Sequence, residues 1–354
     1  MIEKYTTDAV ALLQRLIAAP SVSRDEKAAA DIMEEAMRGY GFEPKRHGNN
    51  LWITSEDWDD SRPTILLNAH IDTVKPVSTW TRDPFAPTLE GDRLYGLGSN
   101  DCGGGLVSLL QVFRLLQSPL SNFNFQFANL IYLASCEEEV SGINGIRAVL
   151  PMLPRIDVAI VGEPTGMQPA IAERGLMVID GVAHGKSGHA ARNEGVNAIY
   201  EALNDLVFIR DYRFEKVSKM LGPTKMQCTV VNSGTQHNVV PDECKFIIDV
   251  RTNEHYTNEE VFEFLQTKLK SELKARSFHL HSSSIPEEHP LIQRCKEMGM
   301  QPFGSPTLSD QALMRFPSFK LGPGESARSH SADEFICVSE IRDAIEKYLR
   351  LLEE

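Results

Sequence analysis

Three short apolar runs in the first half of this chain each end on groups that can bind metal or move protons. Thr64–Ala69 is followed by His70 and Asp72, Asn129–Ala134 by Glu137, Glu138 and Glu139, and Asp157–Val161 by Glu163. Runs of this kind read as buried strands. In open α/β sheets, sites gather beyond the carboxyl ends of the strands. Polar residues at one strand end are ordinary, but three strands delivering imidazole or carboxylate groups to the same edge form a constellation. Carboxylates gathered there would repel one another and raise each other's pKa values. A cation resolves the conflict. Mixed imidazole and carboxylate donors suit zinc, and the surplus carboxylates could hold a second ion. Two ions roughly 3.5–4 Å apart can stabilise both sides of a hydrolytic displacement.

The elements needed to position such groups are legible. Gly104–Leu116 has helical spacing after a glycine cluster, and strand–helix alternation predicts a layer with a largely parallel sheet. From about residue 176 the pattern changes. A strand over 176–182 precedes a helix over 195–212, then strands over 226–231 and 245–251. A helix follows whose start, Thr257 to Glu260, fits a capping box, and a final strand lies near 278–281. The order β-α-β-β-α-β is ferredoxin-like. After Pro286 the α/β pattern resumes and ends in a helix over 338–352. The predicted architecture is an α/β catalytic domain, residues 1–175 and 284–354, interrupted by a smaller α+β domain over 176–283.

Composition narrows the partners. The chain has 354 residues, more than one core usually holds. Its net charge of −13 argues against nucleic acid, which needs clustered Lys and Arg. No apolar run is long enough to span a membrane, and the start, MIEKYTTDAVALLQRL, reads as an amphipathic helix rather than a signal peptide. The six cysteines (102, 136, 228, 244, 295 and 337) form no CxxC and read as free thiols in a reducing, cytoplasmic compartment.

Five motifs occur in order: Asn68-Ala-His-Ile-Asp-Thr-Val74, Gly96-Leu-Gly-Ser-Asn-Asp101, Cys136-Glu-Glu-Glu139, Val161-Gly-Glu-Pro-Thr165 and Gly322-Pro-Gly…His330. Together with Gly185-Lys-Ser-Gly-His-Ala190 in the inserted domain, they make the whole chain resemble the M20 metallopeptidase family, which includes acetylornithine deacetylase, succinyl-diaminopimelate desuccinylase, aminoacylases and dipeptidases. The resemblance implies a zinc-peptidase-like domain with a dimerisation (lid) insert and two zinc ions, which cobalt or manganese could replace. It implies His70 and Glu163 as ligands of one ion, Glu138 and His330 of the other, and Asp101 as the bridge. Asp72 would orient the His70 ring, and Glu137 would be the general base. His189 would reach a partner subunit's site and stabilise the oxyanion, while Arg174, Asn238 and Arg251 would bind a substrate carboxylate. Glu163, rather than Asp, tips the substrate toward an N-acyl-L-amino acid. Acetylornithine is the leading candidate; acylated citrulline, succinyl-diaminopimelate and small peptides remain open, as does a non-catalytic binder of the same fold. The pattern departs at Cys102, where the family often has Met or Ala.

Overall fold

The computed structural model describes residues 2–118, 125, 127–192 and 194–353. In chain order its main elements are α1 (Ile2–Ile17), β1 (Thr64–His70), α2 (Gly104–Leu116), β2 (Asn129–Ser135), β3 (Val158–Val161), β4 (Met177–His184), α3 (Ala198–Asp211), β5 (Lys225–Ser233), β6 (Glu243–Arg251), α4 (Asn258–Lys268), β7 (Glu272–Ala275), β8 (Ser318–Lys320) and α5 (Val338–Leu352). They form two units. The first holds residues 1–171, 285–303 and 309–354; the second holds 172–284 and 304–308.

The first unit is a mixed α/β layer around a central, largely parallel sheet. Its four central strands run in the order β2-β1-β3-β8, all parallel. An antiparallel strand, Asn50–Thr54, flanks β2. β1 and β2 are buried at every position because both faces of the sheet are covered. On one face α1, α2 and α5 pack together. In α1 the buried Ala9, Leu12, Leu13, Leu16 and Ile17 repeat at helical spacing, giving one apolar stripe. On the other face Leu66, Ile131, Leu133 and Val161 pack with Ile146, Val149 and Met314. Burying each such side chain is worth about 1.5–3 kcal/mol, and the rigid sheet that results ends at the groups of interest. Parallel pairing sets His70 opposite Ser135 and Asn68 opposite Val161, so the acidic segments after β2 and β3 emerge beside His70.

The second unit carries a four-stranded antiparallel sheet in the order β5-β6-β4-β7, with α3 and α4 between its strands in sequence. This is the ferredoxin-like order. Alternating burial along β4 and β6 marks a sheet with one covered face. The capping box at Thr257 and Glu260 is present, with both reciprocal hydrogen bonds. The last strand differs from expectation. It is Glu272–Ala275, and the predicted segment 278–281 is not a strand. The Asn258 amide and the Leu176 N–H take the carbonyls of Phe278 and Leu280 that a ladder would need.

Candidate metal centre

His70 closes β1 and is almost fully buried. Its Nδ1 lies 2.9 Å from the Asp72 carbonyl oxygen, so that nitrogen carries the proton and donates it. Asp72 thus orients the ring through its backbone; its carboxylate stands farther away, at 3.6 Å. The Nε2 lone pair is left facing three carboxylates: Asp101 Oδ1 at 3.3 Å, Glu163 Oε1 at 3.6 Å and Glu138 Oε2 at 4.0 Å.

The Asp72 carboxylate has a different task. It accepts from Ser23 Oγ at 2.7 Å and from the N–H groups of Glu138 and Glu139 at 3.0 and 3.2 Å. That pins the single 3-10 turn Glu138–Val140 against the end of β1. As a result Glu139, and not Glu138, meets the second histidine. His330 Nε2 lies 3.0 and 3.2 Å from the two Glu139 oxygens and 3.5 Å from Asp101 Oδ2. Asp101 therefore turns one oxygen to each histidine, a bridging disposition.

Glu137 is outside this cluster. It sits in the left-handed region, with φ of 55°, and its carboxylate accepts from Asn144 Nδ2 at 2.8 Å and Asn144 N–H at 3.3 Å. The geometry differs from the sequence expectation on both counts: Glu137, expected as the base, does not join the cluster, and Glu139 rather than Glu138 stands against His330. The physical reason is register. Three consecutive glutamates allow three frames, and the frame is fixed by Asp72 gripping the second and third N–H groups.

The electrostatics call for a cation. Burial and the negative charge of Asp101 push Glu163 up to about 8. Burial likewise raises Glu138 well above the ordinary carboxylate range, and Glu163 adds to the rise. Hydrogen bonding to Glu139 lifts His330 to about 9. Glu163 Oε1 is buried and has no hydrogen-bond partner, which a protein tolerates only where something else pairs it. Ligand atoms of Asp101, Glu139 and His330, of His70, Glu138 and Glu139, and of His70, Cys102 and Glu163 lie within 4.8 Å of one another in each trio. The donor set fits hard-to-borderline divalent cations.

A sequence model of peptidase family M20/M25/M40 matches residues 66–354, most of the chain and every residue of this cluster. The chain belongs to that family. It is 26% identical over 379 residues to acetylornithine deacetylase of Proteus mirabilis, covering 97% of this chain and 96% of the relative. It is 26% identical over 302 residues to succinyl-diaminopimelate desuccinylase of Wolbachia pipientis, covering 80% and 75%. A Bacillus subtilis structure described as a dinuclear metal binding peptidase of the M20 family superposes with a TM-score of 0.73 at 17% identity, covering 99% and 98%. This M20 hydrolase is a metal-dependent amidohydrolase.

The remaining candidates lie in the second unit. His189 pairs with Val239 on a two-stranded ribbon, and Ala190 N–H donates to the Asn238 carbonyl, so His189 and Asn238 are exposed neighbours. The arginines are committed elsewhere. Arg174 is buried and donates to the Leu221 and Pro223 carbonyls, and Arg251 forks onto Asp249 at 2.8 and 3.0 Å. A guanidinium taken out of water, as at Arg174, must satisfy its donors locally, and the partly exposed Arg251 already spends its fork on Asp249, so neither arginine presents the open fork expected for a substrate carboxylate.

Sequence reasoning missed Glu139 as a participant and overlooked Glu334. The buried Glu334 carboxylate accepts the N–H groups of Gly98, Asn100 and Asp101 at 3.0, 2.8 and 2.9 Å. Its position four residues after His330 was the available signal.

Proposed function

We propose that this M20 hydrolase cleaves the amide of an N-acyl-L-amino acid, with N-acetylornithine as the leading substrate and N-acyl-citrulline or succinyl-diaminopimelate next. The observation that carries the reading is the pair of histidines facing opposite oxygens of Asp101, ringed by Glu138, Glu139 and the unpaired oxygen of Glu163. The relatives named as deacetylase and desuccinylase support the substrate class.

Two zinc ions fit this donor set, the first at His70 and Glu163, the second at Glu139 and His330, with Asp101 between them. When bound they would polarise the scissile carbonyl and lower the pKa of water. The chain's own residues do the rest. Glu138 is the group left over for proton work, because its carboxylate stands 4.0 Å from His70 Nε2 while Glu139 is taken up by His330 at 3.0 Å. Its raised pKa suits a base that takes a proton from the attacking water and returns it to the leaving nitrogen. Asp72 holds Glu138 in place through its backbone and His70 in the right tautomer.

His189 is the candidate donor to the tetrahedral oxyanion from a second copy of the chain, with Asn238 beside it. Exposed Tyr200, Leu203 and Val207 on α3 and Val230 and Val231 on the edge strand β5 support a homodimer through this unit. The six free cysteines favour a reducing, cytoplasmic setting. No helix among the described residues is long and apolar enough to cross a membrane.

The test is a panel of N-acetyl and N-succinyl derivatives of ornithine, citrulline and diaminopimelate, assayed with added zinc or cobalt beside small peptides. Turnover of an N-acyl amino acid well above that of any peptide is expected. Turnover of peptides alone would overturn the substrate class, and no turnover of any compound by metal-loaded protein would overturn the hydrolytic reading.

A further inference from the structure

Glu334 is a buried carboxylate that the hydrolytic scheme leaves unused, 2% exposed and surrounded by backbone N–H groups. Its Oε1 accepts from Asn100 and Asp101 and its Oε2 from Gly98, while its own carbonyl accepts from Gly96 N–H at 3.0 Å. Four hydrogen bonds thus run from one residue to the segment that ends in the bridging aspartate. The return connection is equally specific. Asn100 Oδ1 accepts from Glu325 N–H at 3.0 Å, and Asn100 Nδ2 donates to the Glu325 carbonyl at 3.1 Å and to Ser329 Oγ at 3.3 Å. Gly324 must be glycine at this crossing. A Cβ there would lie 2.3 Å from Asn100 Oδ1, and its φ is +84°.

Two loops far apart in sequence are therefore stapled in both directions. One, 96–101, carries Asp101; the other, 324–334, carries His330. His330 itself has a left-handed backbone (φ of 58°) and a half-exposed ring whose Nε2 meets Glu139 and Asp101. Its backbone is placed by the loop's attachments at Glu325, Ser329 and Glu334, together with Asp333 on Thr81 and Arg82 and Arg328 on Glu340. Charge-assisted hydrogen bonds to a buried carboxylate are among the stronger ones available to a fold, and three of them converge on Glu334.

We infer that Glu334 is a positioning residue that makes the two metal positions one cooperative unit: it holds Asp101 in register with His330, so that an ion at His70 and Glu163 presets the Asp101 oxygen for the ion at Glu139 and His330. The inference rests on the two-ion reading above. It assigns Glu334 no contact with substrate. Without its charge, Asp101 still meets His70 on the rigid end of β1, while its alignment with the His330 loop is lost. The second ion is then bound selectively less well than the first.

The experiment compares wild type with Glu334→Gln and Glu334→Asp. Metal-free protein is titrated with Co2+, following stoichiometry by calorimetry and the visible cobalt bands, with the unfolding midpoint of each metal-free protein measured in parallel. Expected for Glu334→Gln is one ion bound near wild-type strength and the second weakened roughly 10- to 100-fold, the usual effect of losing an outer-shell partner. Glu334→Asp, which keeps the charge, recovers part of that loss. If Glu334→Gln does not fold, Asn100→Ala cuts the staple from the other side and is expected to show the same selective loss. Two equally tight ions in a folded variant, or equal weakening of both, overturns the inference. Wild type that binds fewer than two ions overturns the two-ion reading itself, so the two failures are distinguishable.

Discussion

His330 Nε2 stands 3.0 Å from Glu139 Oε2, a contact that follows from the frame Asp72 sets for three consecutive glutamates. Glu138 faces His70, Glu139 faces His330, and Glu137 turns to Asn144. The three residues, alike in type, should therefore fail in three different ways. Glu138→Gln is expected to lower kcat by about 10²- to 10⁴-fold with metal content intact. Glu139→Gln is expected to lower metal content. Glu137→Gln is expected to keep both while losing about 1–2 kcal/mol of stability, because one acceptor for Asn144 becomes a donor. Metal analysis, kinetics and urea unfolding on the three proteins check this. A Glu137→Gln protein with the kinetic defect assigned to Glu138 would return the base to Glu137.

Metal binding should strengthen as pH rises. Burial and Asp101 push Glu163 up to about 8, and hydrogen bonding to Glu139 lifts His330 to about 9. Both groups must lose a proton to serve as ligands. For the metal-free protein the sign is the opposite. A group whose folded pKa is raised contributes stability at low pH and loses it as pH passes through the folded value. The gap in unfolding midpoint between zinc-loaded and metal-free protein is therefore expected to widen from about pH 6 to about pH 8, with proton release on binding. Calorimetry in buffers of different ionisation enthalpy measures the release. A gap constant over that window would contradict the picture.

The close approach of α2 to Gly162, just past the end of β3, gives a prediction about the scaffold. A Cβ on Gly105 would lie 1.7 Å from the Gly162 carbonyl oxygen, a backbone atom with no room to retreat. Gly162 immediately precedes Glu163. Gly105→Ala is expected to cost about 1–3 kcal/mol or more in stability and to displace Glu163, so metal affinity falls as well. Thermal unfolding of metal-free protein and zinc titration are the two readouts. A variant of wild-type stability would show that the helix can slide on the sheet.

Much of this was legible in the sequence, for identifiable reasons. β1 and β2 are short, wholly buried and bounded by polar residues, so their ends, and hence His70 and the glutamates, were located by pattern alone. The helix Val338–Leu352 and the Thr257 cap were located likewise. The frame of Glu137–Glu139 was not legible, because it is set by Asp72, 66 residues away in sequence from Glu138. Nor was the fate of Arg174 and Arg251, whose type suits a carboxylate but whose partners were decided by tertiary neighbours. The role of Glu334 was not legible for the same reason: although it lies four residues after His330, its partners are backbone N–H groups more than 230 residues earlier.

The dimer reading has a sharp test in mixed subunits. Tyr200, Leu203 and Val207 lie on one exposed stretch of α3, and Val230 and Val231 on the neighbouring edge strand β5. An apolar stripe beside an unpaired strand edge is suited to a second copy of itself, because a two-fold axis brings the same patch to both sides. Val231→Lys is expected to give a monomer by analytical ultracentrifugation, and a monomer without activity if His189 serves the other subunit. Complementation separates that role from simple loss of structure. Glu138→Gln and His189→Ala proteins should each be inactive alone. Mixed under conditions of subunit exchange, each heterodimer would hold one site with an intact Glu138 from one chain and an intact His189 from the other. Recovery of about a quarter of wild-type activity is then expected, half of the dimers being mixed and half of their sites intact. Exchange demonstrated by mass, with no activity regained, would exclude action of His189 across the interface.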